Sequence, residues 1–360
     1  MTTNKKQPLN QICLIRLSAL GDCCHALAVI ENIQYSSPKT KITWVIGKSE
    51  HQLFKDIKGV EFIVVDKKRL FASFFKMKKE LRGKCFDVLL NMHASMSANL
   101  ISLAIKAKKK VGYDKDRARD LQNWFCNEYI QPIKNQHVAE GMLEFSKHIN
   151  MSNYPKWTPL ILEPEEKLTL MHIDSKKPTC VISPCSSQRY GDKYNRSWSI
   201  QNHIVLIERL IKKDDIQIIL TGGKSEIEKI YSRNFDLRFG KKVVNLIGKT
   251  SIREMAALIK HADFLITPDS GPAHIGNIMG TPVIGLYAML NPKRTGSYNS
   301  FKWSINKYPE ALKKYMNKSS EEVKWGQKIK NKDAMNLIKS KEVLEKIEEL
   351  VEEKNINFQL

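Results

Sequence analysis

Four short stretches of this 360-residue chain gather side chains suited to chemistry. "RLSALGD", residues 16–22, ends an apolar run, turns at Gly21 and sets Asp22 at the start of a helical pattern. A carboxylate in that place either caps the helix N-terminus or faces outward as a general base. "GGKSE", residues 222–226, pairs two glycines with a helix start whose N–H groups and positive dipole end suit a phosphate. Glu226 there either complements the dipole or accepts from a ribose hydroxyl. "TPDSGPAH", residues 267–274, sets Asp269, Ser270, Gly271 and His274 around a further helix start, with Pro272 suited to its first position. "SPCSSQRYGDKYNRSWS", residues 183–199, mixes hydroxyls with Arg189, Lys193 and Arg196. An arginine can meet a diphosphate through two parallel hydrogen bonds. The upstream glycine of a Walker phosphate loop is missing, and "RLSALGD" is not a dinucleotide G-x-G-x-x-G. Three such turns in one chain still point to a nucleotide-linked ligand.

The elements that must position these turns alternate. "QICLIRL", "KITWVIG", "VEFIVVD" and "CFDVLLNM" read as buried strands separated by helical patterns, the last of them followed by a helix "SANLISLAIKA". After the Pro-bearing "NYPKWTPLILEPEEK", read as a linker, "TCVISP", "IQIILTGG", "VVNLIG" and "DFLITP" repeat the alternation. Apolar strands spaced by helices predict parallel sheets covered on both faces. The division expected is 1–160, 161–335 and a tail helix at 336–360 able to return onto the first domain. Two such domains place a cleft at the carboxyl ends of their strands.

Composition bounds the classes. The chain is 42% hydrophobic and 27% charged, and its longest apolar runs are too short to span a bilayer. The N-terminus has no long apolar core of a signal peptide, so a cytoplasmic protein is expected. Seven cysteines without a C-x-x-C pair suggest neither a disulfide framework nor a zinc site. Fifty-nine Lys and Arg against 38 Asp and Glu give a net charge of +21. Such a field favours phosphorylated substrates or anionic membranes, unless it is only a lysine-rich surface. Phe71, Phe74 and Phe75 among lysines read either as a core stripe or as an interfacial helix. No helix-turn-helix or RNA-stacking pattern appears, so nucleic acid is not an expected partner. Asp114 and Asp116 are the carboxylate pair a metal-dependent transferase would need, in a basic loop.

"RLSALGD", "GGKSE" and "GKTSIREMAALIKHADFLITPDSGPAHIGNIMGTPVIGLYA" resemble, in this order along most of the chain, glycosyltransferase family 9. That family comprises the bacterial lipopolysaccharide heptosyltransferases and their relatives. The resemblance implies a GT-B fold: α/β, two Rossmann-like doubly wound domains with a cleft between them. It implies an inverting, metal-independent transfer of heptose from ADP-heptose, with no cofactor beyond that co-substrate. Asp22 would be the general base, with Ser18 and Gly21 on the acceptor side. Asp269, Ser270, Gly271 and His274 would line the donor sugar and diphosphate. Glu226 would hold the ribose, the backbone near Gly248 would meet the base, and Ser187, Thr221 and Gly222 complete the donor side. The diphosphate cation falls on Arg196, where a lysine is usual, or on Lys193. The acceptor implied is a phosphorylated, lipid-linked saccharide at the inner face of the inner membrane, with peripheral contact to anionic lipid. Two departures stand out: Cys185 where a glycine is usual, and Tyr287 to Pro292, "YAMLNP", where the family reads Gly-Pro-Thr-Asp-Pro. The second leaves room for another nucleotide sugar, or for a binding protein without catalysis.

Overall fold

The computed structural model describes residues 9–151, 171–186, 195–213 and 215–357. The linker stretch 153–167 and residues 187–194, with Ser187, Arg189 and Lys193, lie outside them. The chain divides into two units, Met1–Leu160 and Ile161–Leu360.

The first unit runs β1 (Gln11–Ile15), α1 (Leu20–Ser36), β2 (Lys41–Gly47), α2 (Lys48–Phe54), β3 (Val60–Val65), α3 (Leu70–Glu80), β4 (Phe86–Asn91), α4 (Met96–Ser102), β5 (Ala107–Gly112), β6 (Glu128–Tyr129) and α5 (Val138–His148). Its strands pair in parallel in the order β3-β2-β1-β4-β5-β6. Central strands such as "QICLI" are buried because helices cover both faces, which is why they read as unbroken apolar runs. The chain departs from expectation after β4. The helix stops at Ser102, and Ala107–Gly112, "AKKKVG", is a strand. Its lysines find partners across the sheet rather than burial: Lys108 Nζ meets Asp87 at 2.7 Å and Lys109 Nζ meets Glu128 at 2.7 Å.

The second unit runs β7 (Thr179–Ile182), α6 (Ile200–Leu210), β8 (Gln217–Leu220), α7 (Glu226–Phe239), β9 (Val244–Asn245), α8 (Ile252–His261), β10 (Phe264–Pro268), α9 (Gly271–Met279), β11 (Val283–Tyr287), α10 (Pro292–Thr295), β12 (Ile305–Asn306), α11 (Tyr308–Met316) and α12 (Ser340–Lys354). The parallel order is β12-β11-β10-β7-β8-β9. Gly276 lets α9 lie directly on the sheet, since a Cβ there would stand 2.6 Å from the Val283 side chain. The tail helix α12 gives its apolar face, Val343, Ile347, Leu350 and Val351, to the core of this second unit. Trp198 on that core donates its indole N–H to the Ile338 carbonyl at 3.0 Å, tying the tail down.

In each sheet the strand order reverses once, between β1 and β4 and between β7 and β10. Open parallel sheets bind ligands outside the carboxyl ends of the strands at such a reversal, because the flanking loops part there.

Candidate active site

At the first reversal, β1 leads into Arg16 and Leu17, and β4 leads into Met92 and His93. Asp22 stands in the first turn of α1, half-buried, with Ser18 and Gly21 half-buried in the turn before it. Its Oδ2 accepts weakly from the Ala19 N–H at 3.4 Å, and its ion pair is with Arg16 Nη2. The Arg16 side chain is 10% exposed and that of Asp22 26%, so the pair is sheltered while the carboxylate still reaches solvent. Arg16 Nη1 donates to the Met92 carbonyl at 2.5 Å, which also accepts from the half-buried Tyr113 hydroxyl at 3.3 Å. A second tie joins the same strand ends: the Leu17 N–H donates to His93 Nδ1 at 3.2 Å. Burial first, then the Arg16 cation, hold the His93 imidazole down to about 3, with Asp22 opposing. His93 is therefore neutral, with its proton on Nε2.

At the second reversal, Asp269 and Ser270 follow β10 and Gly271 opens α9. Arg196 Nη1 bonds Asp269 Oδ2 at 3.0 Å, with the two side chains 17% and 11% exposed. No other described residue accepts from Arg196 Nε or Nη2. Ser270 is the N-cap residue but caps nothing; its hydroxyl meets Thr267 Oγ1 at 3.0 Å. Its side chain thus leaves the amides that open α9 to another acceptor, and an anion is what such amides suit. His274 lies half-buried on the same turn.

At the "GGKSE" turn a local carboxylate is engaged. Glu228 folds back over it, accepting from Gly223 N at 2.5 Å, Ser225 N at 2.9 Å and Ser225 Oγ at 2.5 Å. A protein carboxylate thus takes up two of the amides at this helix start, those of Gly223 and Ser225, beside Gly222. Glu226 is turned outward, 86% exposed, and holds Lys229 Nζ at 2.6 Å. The Thr221 hydroxyl is fully buried, and no described residue shares a hydrogen bond with it. Gly248, with φ of +76°, donates its N–H to the Gly222 carbonyl at 3.1 Å. The divergent Tyr287 to Leu290 segment is buried in the second core, with Met289 accepting from Ile329 N at 3.0 Å. Asp114 is engaged too: it accepts from the Asp116 N–H at 3.1 Å and pairs with Arg117. Among the described residues no group of three His, Cys, Asp or Glu side chains is placed to share an ion.

Arg16 and His93 were not singled out from the sequence. Arg16 is the first letter of the "RLSALGD" turn, where the base drew the eye away from its partner. His93 follows "LLNM" with no motif around it, and only the pairing of β1 with β4 brings it to Leu17.

Residues 74–325 match the sequence profile of glycosyltransferase family 9 (heptosyltransferase). The chain is 36% identical over 342 residues to the lipopolysaccharide core heptosyltransferase OpsX of Haemophilus influenzae, covering 94% of this chain and 96% of that one. Among solved structures, a family 9 glycosyltransferase from Veillonella parvula superposes with a TM-score of 0.76 at 19% identity, over 96% and 97% of the two chains. Heptosyltransferase WaaC of Escherichia coli, solved with ADP, superposes with a TM-score of 0.73 at 19% identity, over 94% and 99%. The fold is that of these GT-B enzymes, and the chain belongs to glycosyltransferase family 9.

Proposed function

We propose that the protein is an inverting heptosyltransferase that moves heptose from ADP-heptose onto a lipopolysaccharide core acceptor, with Asp22 as general base. The observation that carries this reading is the Arg16–Asp22 pair at the β1/β4 reversal. The guanidinium is spent on Asp22 and Met92, so its task is to set the carboxylate in place. Asp22 takes the proton of the acceptor hydroxyl as that oxygen attacks the anomeric carbon, and the bond from that carbon to the diphosphate oxygen breaks on the opposite face. The leaving nucleoside diphosphate gains charge, and Arg196 with the amides at Gly271 is preorganised to receive it. Asp269, kept on Arg196, faces sugar hydroxyls rather than phosphate. OpsX by its name and WaaC by its bound ADP support the donor.

The buried, apolar Tyr287 to Leu290 segment favours one second reading: the same reaction with a different nucleotide sugar. The test is a donor panel of ADP-heptose with other ADP-, UDP- and GDP-sugars, without divalent metal, on rough-type lipopolysaccharide. Nucleoside diphosphate release with ADP-heptose alone is the expected result. Release with another donor alone establishes the second reading, and silence across the panel in folded protein overturns both.

The acceptor is lipid-linked in this reading, and helix α3 has the surface for a membrane. Phe71 is 77% and Phe75 65% exposed, Phe74 packs on the core, and Lys67, Lys68, Arg69, Lys76, Lys78 and Lys79 stand exposed around them. The core-stripe reading thus holds for Phe74 alone. Aromatics in a cationic ring suit the interface of an anionic bilayer. No described helix is long and apolar enough to cross it. Replacing Phe71 and Phe75 by Ser is expected to lower sedimentation with phosphatidylglycerol vesicles at least tenfold; unchanged sedimentation removes α3 from the membrane contact.

A further inference from the structure

The neutral His93 ring has one nitrogen used and one left over. Nδ1 accepts from Leu17 N–H at 3.2 Å, which fixes the ring and directs Nε2–H the other way. The ring is half-buried, and no described residue accepts from Nε2. Leu17 and His93 are next-door neighbours of Arg16 and Met92, which Arg16 Nη1 joins at 2.5 Å. The imidazole is thus fastened to the same strand ends as the arginine that holds Asp22, and shares their strand-reversal edge. Asp22 and Arg16 both act on it electrostatically. An acceptor hydroxyl brought to Asp22 arrives on a ring carrying other oxygens. A fixed, uncharged N–H donor at this edge suits an oxygen of that kind.

We propose that His93 is an acceptor-binding residue, its Nε2–H donating to an oxygen of the acceptor sugar that presents its hydroxyl to Asp22. This rests on the reading of Asp22 as the base. Being neutral, His93 contributes a single uncharged hydrogen bond, so its contribution is less sensitive to salt than that of surrounding lysines.

Two substitutions separate its two nitrogens. His93→Asn keeps an acceptor near the Nδ1 position for Leu17 N–H but withdraws the outer donor. His93→Gln extends an amide N–H to the reach of Nε2. The measurement is direct binding of rough-type lipopolysaccharide to each full-length variant by calorimetry, together with acceptor and ADP-heptose KM. The expected result is an intact fold and at least tenfold weaker acceptor binding for His93→Asn, with donor KM within twofold. His93→Gln should recover acceptor binding to within threefold of wild type, with an unchanged pH profile. Wild-type acceptor affinity in His93→Asn overturns the proposal, as does an equal change in donor and acceptor KM. So does a failure of His93→Gln to recover affinity while folded. If wild-type protein binds no rough-type lipopolysaccharide, the acceptor reading itself falls and His93 with it; binding without transfer leaves the His93 comparison valid on affinity alone.

Discussion

Both units bury an arginine–aspartate pair at the strand reversal of their sheets, and the two pairs are built for opposite work. Arg16 is committed: one nitrogen to Asp22, one to the Met92 carbonyl, and Nε buried with no described acceptor. Its aspartate is the more exposed partner. Arg196 gives a single nitrogen to Asp269, and there the aspartate is the more enclosed of the two. In the first pair the cation serves the carboxylate, which suits proton transfer. In the second the carboxylate serves the cation, which suits an anion arriving from solution. The same two residue types therefore divide acid–base work from charge neutralisation by which member keeps free hydrogen-bonding capacity.

Exchanging the losses breaks this division most strongly. Arg16→Met takes the cation away from a sheltered carboxylate and is expected to cost of the order of 3 kcal/mol in urea unfolding, with ADP affinity unchanged. Arg196→Ala is expected to weaken ADP binding by about 10- to 100-fold in calorimetry, more than Lys193→Ala, with smaller effect on stability. Weaker ADP binding in Arg16→Met, or a larger loss in Lys193→Ala, contradicts the assignment.

Each unit also holds a histidine that burial drives well below its ordinary value. Burial and Arg16 push His93 down to about 3; burial pushes His203 down to about 4, against the Ser199 carbonyl that accepts from its Nδ1–H at 2.9 Å. In the unfolded chain both take up a proton near the ordinary value of 6.5. The stability they supply is complete above that value and is lost as pH falls toward 4 and 3, by up to about 1.4 kcal/mol per pH unit for each. Unfolding midpoints measured from pH 7.5 to 4.5 should fall accordingly, less steeply in His203→Phe and in His93→Gln. A flat profile in wild type contradicts the two neutral rings. The smallest effect belongs to Thr221, whose buried hydroxyl has no described partner: Thr221→Val should gain about 1 kcal/mol, and a loss would show that the hydroxyl is bonded.

The alternation of apolar strands and helices made both sheets legible, because strands buried on two faces cannot hide their pattern. Strand β5 escaped because Lys108 and Lys109 are satisfied by Asp87 and Glu128, and cross-strand pairs leave no periodic signal. The site was legible where one turn holds its own chemistry, as at Asp22 and at Asp269 to Gly271. It was not where partners come from distant strands: His93 is 76 residues from Leu17, and Arg196 is 73 from Asp269. At the "GGKSE" turn the roles of the two acids were not legible, because Glu226 and Glu228 are equivalent on paper. Backbone direction decides that Glu228 covers the glycines while Glu226 faces water.

The central claim is that Asp22, set by Arg16, removes the acceptor proton. The most direct measurement is single-turnover transfer from ADP-heptose to rough-type lipopolysaccharide by Asp22→Asn, which keeps an oxygen for Arg16, where Asp22→Ala would leave the guanidinium bare. The account predicts a transfer rate at least about 100-fold below wild type, with ADP affinity and melting temperature close to wild type. Transfer at the wild-type rate in that variant would contradict it.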